Sequence, residues 1–162
     1  MVLLESLPEV LINKIKSYVL FTPNNKELKR AVNLWCEDKR KAYKLFGHIS
    51  LWDTKQVTNM YKLFFSKFNF NSVISSWDVS NVTNMGDMFN SATSFNQPLN
   101  NWDVSSVYNS RRMFNFAKSF NQPLDNWDVS DVENMIGMFC NAESFNQPIN
   151  NWDVSNVKDM IG

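Results

Sequence analysis

At 162 residues the chain makes one modest domain, or a small domain with an appendage. A hydrophobic share of 44%, with 13 Phe and 6 Trp, excludes a disordered polar chain. The 16 basic and 16 acidic residues balance, so no surplus cation is present to neutralise phosphates, and nucleic acid is not an expected partner. Cys36 and Cys140 stand far apart in unrelated contexts, which reads as two buried free thiols in a reducing compartment. The single histidine, His48, has no neighbouring His or Cys cluster and reads as structural.

The chain opens with apolar residues at helical spacing: Leu7, Val10, Leu11, Ile15, Tyr18 and Val19. Pro8 suits a first helical turn. Glu5, Glu9, Lys14 and Lys16 interrupt the stretch, and no small-residue cleavage site follows. No run approaches the roughly 18 apolar residues that cross a bilayer. The expectation is therefore a cytoplasmic protein, neither secreted nor membrane-bound. Leu28, Val32 and Trp35 then line one face of a helix, and a second short helix fits from Asp38 to Leu45 before Gly47. Residues 1–48 are expected to form a helical N-terminal cap, because the end of a repeat array exposes a layer of apolar side chains.

A 25-residue period governs the remainder, 49–162. Trp52, Trp77, Trp102, Trp127 and Trp152 recur in register, each followed by Asp. Phe64, Phe89, Phe114 and Phe139 form a second column, and Phe70, Phe95, Phe120 and Phe145 a third, followed by Asn71, Asn96, Asn121 and Asn146. Trp102 and Val104 alternate as in a short strand with both side chains inward. Val132, Met135, Met138, Phe139 and Ala142 step by three and four, which predicts a helix, with Ser130 and Glu133 as its capping box. Pro98, Pro123 and Pro148 return the chain to an extended path. The predicted fold class is α/β: a leucine-rich-repeat-like solenoid of about five 25-residue coils, with a parallel β-helix as the alternative. The fifth coil is incomplete, leaving Met138, Phe139 and Phe145 partly uncovered. Either Met160 and Ile161 fold back over that layer, or a second copy covers it, making a homo-oligomer through these five residues.

Asn-Gln-Pro-Leu-Asn-Asn-Trp-Asp-Val-Ser with the following Asn-Met-x-x-Met-Phe resembles the BspA-like surface-protein repeat of mycoplasmas, which also occurs in giant DNA viruses and protists. The resemblance covers about 49–162 and implies adhesion or protein binding, with no catalytic residues to carry over. The absence of an export signal points to the intracellular viral or protist type. The stretch from Leu7 to Leu20 separately resembles the opening of an F-box. That resemblance implies docking of Leu7, Pro8, Glu9, Ile12 and Ile15 on a Skp-type adaptor of a ubiquitin ligase. A plain helical cap accounts for the same residues, and the two readings are compatible.

Every polar column is duplicated along the array, whereas catalysis needs unlike groups brought together once. No Ser/His/Asp set, phosphate loop or metal cluster is apparent, so the chain reads as a non-enzyme without cofactor or metal. Asp53, Asp78, Asp103, Asp128 and Asp153 invite a calcium row, but Ser80, Ser105, Ser130 and Ser155 offer hydroxyl partners two residues on. Function is expected where the repeat is broken. Tyr108, Ser110, Arg111 and Arg112 replace Thr83, Met85, Gly86 and Asp87, and Phe116 replaces Ser91 and Asn141. Tyr108, Arg111, Arg112 and Phe116 have the composition of a protein-binding hot spot. Phe65 and Phe68 are expected to pack against the cap. The functional expectation is an interaction scaffold, in one version an F-box-like adaptor whose repeats hold a target. The alternative is a structural or assembly protein that self-associates.

Overall fold

The computed structural model describes residues 20–161. Helix α1 (Asn25–Glu37) begins at a capping box: Asn24 Oδ1 accepts from the Lys26 and Glu27 amides, and the Glu27 carboxylate accepts from the Asn24 amide. It buries Leu28, Ala31, Val32 and Trp35. Helix α2 (Lys39–Phe46) ends at Gly47, whose φ of 72° needs a residue without Cβ. The pair packs over the first repeat. The Trp35 indole donates to Ser72 Oγ at 3.0 Å, and Asn25 exchanges two hydrogen bonds with Thr58. The rings of Phe21, Trp35 and Phe46 stand edge-on around Trp52.

From Ile49 onward the chain winds in coils, here numbered 1 to 5 and starting at residues 49, 74, 99, 124 and 149. Their inner columns stack aromatic on aromatic. Phe64, Phe89, Phe114 and Phe139 lie 5.3 to 5.5 Å apart, nearly parallel. Phe70, Phe95, Phe120 and Phe145 follow at 5.7 to 6.0 Å. Each Trp indole from Trp77 to Trp152 donates to the carbonyl that opens the coil before it, as Trp77 does to Ile49 at 2.8 Å. Trp52 has no earlier coil, and its buried N–H lacks a partner among the described residues. Asn71, Asn96 and Asn121 form a polar ladder. Each Oδ1 accepts the next coil's Asn backbone amide and Gln side-chain amide at 2.9 to 3.0 Å.

The architecture overturns the predicted α/β solenoid, and the parallel β-helix with it. Among the described residues the coils contain no α-helix and no sheet, only a single 3-10 turn at Ile49–Leu51. Single parallel bridges, Asn59 to Asn84 and onward to Asp159, are all the pairing they make. The stretch expected as a helix is a run of tight turns. In coil 1 the amides of Leu63, Phe65 and Lys67 donate three residues back. Those of Met60, Lys62, Phe64 and Ser66 donate across to carbonyls of coil 2. Lys62 and Ser66 have positive φ, as do Asp87 and Ser91, Arg112 and Phe116, and Gly137 and Asn141 in the later coils. A left-handed residue at every fourth position prevents a helix from propagating.

The misreading has a geometric cause. Turns that place two residues in and two out put positions 85, 88, 89 and 92 inside, which is the apolar spacing of a helix. The proposed Ser130–Glu133 capping box is absent as well. Ser130 bonds back to Asp128, and Glu133 pairs with Lys158 at 2.9 Å. The inward Trp–Val alternation is present, with Trp102 and Val104 buried, but the backbone there is not a strand. Cys36 is exposed and Cys140 partly covered, against the expectation that both are buried.

Candidate functional site

The turns present their outer residues as a face of corners. In coil 1 the corners are Tyr61, Lys62, Phe65 and Ser66; in coil 2 Gly86, Asp87, Asn90 and Ser91; in coil 3 Arg111, Arg112, Asn115 and Phe116. Coil 2 is low. Gly86 has no side chain, and a Cβ there would meet Tyr61 Cδ2 at 3.3 Å and Asn109 Nδ2 at 3.1 Å. Asp87 and Asn90, each 8% exposed, bond to one another at 2.6 Å, and Ser91 Oγ donates to Asn90 Oδ1 at 2.9 Å. Coils 1 and 3 stand proud on either side. Tyr61 is 43% exposed and Phe65 40%, with Lys62 Nζ over both rings at 5.2 and 5.0 Å. Phe116 is 43% exposed, and Arg111 and Arg112 are exposed beside it.

Phe116 is poorly placed by every local criterion. Its φ is 54°, a conformation that suits Ser91 or Asn141 in the same column better than a bulky ring. It also removes the hydroxyl that serves Asn90 in coil 2, so Asn115 Oδ1 is buried without a donor among the described residues. Arg112 likewise occupies a left-handed corner, at φ 52°, where the next coil has Gly137.

The expected site residues separate into groups. Arg111, Arg112 and Phe116 share the corner face. Tyr108 is exposed on the segment leading into it, just before the Asn109 bridge. Ser110 faces inward, in the column of Met60, Met85 and Met135, and borders a core cavity of about 10 Å³. Phe65 and Phe68 are exposed, contrary to the expected packing against the cap. Tyr61 and Lys62 were not anticipated, because the face becomes visible only once positions 61–62 and 65–66 are known to be corners. Met138 is buried, Phe139 and Phe145 are half-buried in the aromatic columns, and Met160 and Ile161 are exposed. The backbone of those last two carries the ladder on, with the Gly137 amide donating to the Ile161 carbonyl at 2.8 Å. Leu7, Pro8, Glu9, Ile12 and Ile15 lie outside the described residues.

The Asp column is satisfied coil by coil. Asp78, Asp103 and Asp128 each accept the backbone amide and the hydroxyl of the Ser two residues on, the hydroxyls at 2.6 to 2.7 Å. The Ser80 hydroxyl, then its amide, hold the Asp78 carboxyl below the ordinary range, and Ser130 does the same for Asp128. The Ser155 amide leads for Asp153. No three of His, Cys, Asp and Glu converge into a metal-holding group among the described residues. No helix there is long and apolar enough to cross a membrane.

Repeating columns, coil-to-coil bonds and a face that varies from coil to coil define a repeat protein. The chain belongs to the family described as Mycoplasma protein of unknown function, DUF285, whose model matches residues 36–135 and again 106–162. This is the mycoplasma-type, BspA-like repeat family that the motif resembles. No curated protein and no solved structure matches the chain.

Proposed function

We propose that the chain is a non-catalytic protein-interaction scaffold whose contact surface is the corner face around Arg111, Arg112 and Phe116. The observation that carries this reading is Phe116, a large apolar ring kept exposed at a left-handed position where it also strips Asn115 of its donor. Strain of this kind persists where function uses it. Within the same reading, residues 7–20 dock on a Skp-type ligase adaptor while the coils hold a target, in an intracellular protein of the giant-virus or protist type.

A photo-crosslinking residue at position 116 tests the surface, with one at Ser155 as the control outside the face. A discrete heterologous adduct from 116 alone is expected. Adducts of equal yield from both positions, or none from 116, would contradict the assignment. Adducts only between copies of the chain, with a mass that grows with concentration in light scattering, would favour the self-associating structural protein instead. Co-purification of a Skp-type adaptor that Leu7→Asp abolishes is the expected result for the N-terminal segment, and co-purification unaffected by that change would remove it from the account.

A further inference from the structure

The corner face has a definite shape and charge. Coils 1 and 3 form two walls about 10 Å apart, two coil spacings, and coil 2 forms a floor that runs along the chain direction of 85–91. The walls carry Tyr61, Lys62, Phe65, Arg111, Arg112 and Phe116. Among the described residues Lys62, Arg111 and Arg112 make no ion pair. The one acid in the groove, Asp87, is on the floor, 8% exposed and engaged by Asn90. The groove therefore offers unpaired cations and exposed aromatic rings at its rim, above a polar floor. On the coil 3 wall Asn115 Oδ1 is a buried acceptor lacking a donor among the described residues.

The geometry points to an extended acidic segment of a partner protein, carrying at least one aromatic or large apolar side chain, as the occupant of this groove. The inference rests on the interaction reading above and adds the partner's chemistry to it. Carboxylates of such a segment meet Arg111, Arg112 and Lys62, where Arg forks suit carboxylates two oxygens at a time. Its apolar side chain lies against Phe116 and Phe65, and the rings of Tyr61 and Phe116 supply contact area with little rotamer freedom to lose. Single-stranded nucleic acid fits less well. It needs a continuous basic track along its backbone, whereas here the three cations are grouped at the rim.

Fluorescence anisotropy with short labelled peptides distinguishes the cases: one alternating Glu and Phe, one alternating Lys and Phe, one alternating Ser and Phe. The Glu/Phe peptide is expected to bind best, to weaken as salt rises, and to lose about tenfold or more in affinity with Arg111→Glu/Arg112→Glu. Phe116→Ser should weaken it also, with a melting temperature no lower than the parent's, which shows that the fold is intact. A single Arg112→Gln change serves where the double variant unfolds, and should weaken binding in the same direction. Binding of the Glu/Phe peptide that the Arg variants leave unchanged, or no binding at all, would overturn the inference. Equal binding of the Ser/Phe peptide through Phe116 would overturn the acidic specificity while leaving the interaction reading intact. Preferential binding of an oligothymidylate would overturn both.

Discussion

Phe116 concentrates two local penalties. A buried acceptor without a donor costs about 1–3 kcal/mol, and a left-handed backbone at a bulky residue adds about 1 kcal/mol. Phe116→Ser restores the hydroxyl that Ser91 supplies one coil earlier and gives up only a half-exposed ring. The variant is therefore expected to be more stable, by about 1–3 kcal/mol and several degrees in a thermal melt. A lower melting temperature would mean that the ring contributes packing, and the functional argument would lose its basis. The Asp column gives a second residue-scale expectation. Asp78 and Asp128 titrate below the ordinary carboxylate value of about 4 because their charged forms accept bonds from Ser80 and Ser130. The stability they add is present above that value and lost as pH falls through their lowered values. Carboxyl resonances followed by NMR should show both groups titrating late on acidification, and Ser130→Ala should move Asp128 back up.

At the scale of the element, a coil coheres with its neighbours more than with itself. Trp102 is buried between neighbouring coils and donates to the Ile74 carbonyl at 3.2 Å. Trp102→Ala should cost about 3–5 kcal/mol, a large share of an ordinary stability of about 5–15 kcal/mol. An unchanged melting temperature would show the indole column to be misplaced. Asn96→Ala removes the acceptor for both Asn121 and Gln122 and should cost about 1–3 kcal/mol in urea unfolding, whereas Asn96→Asp, which keeps an acceptor oxygen, should cost less. The repeat period, the inward Trp, Val and Phe columns and the first two described helices were legible, because burial and capping leave direct marks on residue type. The turns were not. Two-in, two-out turns and a helix share the spacing of Met85, Met88, Phe89 and Ala92, so hydrophobic periodicity cannot separate them. The distinguishing mark was at the corners, where Asp87, Ser91, Gly137 and Asn141 tolerate a left-handed backbone. Read that way, Arg112 and Phe116 stand out as misfits of conformation and not only of composition. Lys62, at φ 57° in the column of Asp87 and Gly137, carries the same mark, whereas Tyr61 lies off the left-handed positions and carries none.

For the whole molecule, stability and recognition divide between inside and outside. The inner columns repeat because each layer must match the next, as in any array whose units contact only their neighbours. The corners are released from that demand, so the face can change chemistry from coil to coil without disturbing the stack: aromatic and cationic, then low and polar, then aromatic and cationic again. This depends on the backbone amides of the left-handed corners being bonded across coils and not within them. Scalar couplings transmitted through hydrogen bonds, measured by NMR on the labelled chain, test that most directly. Couplings are predicted from the Asp87 amide to the Arg111 carbonyl and from the Arg112 amide to the Ile136 carbonyl, whose N···O distances are 2.8 and 2.9 Å. Couplings that instead join each of these amides to the carbonyl four residues earlier would show a helix in every coil and would contradict the account.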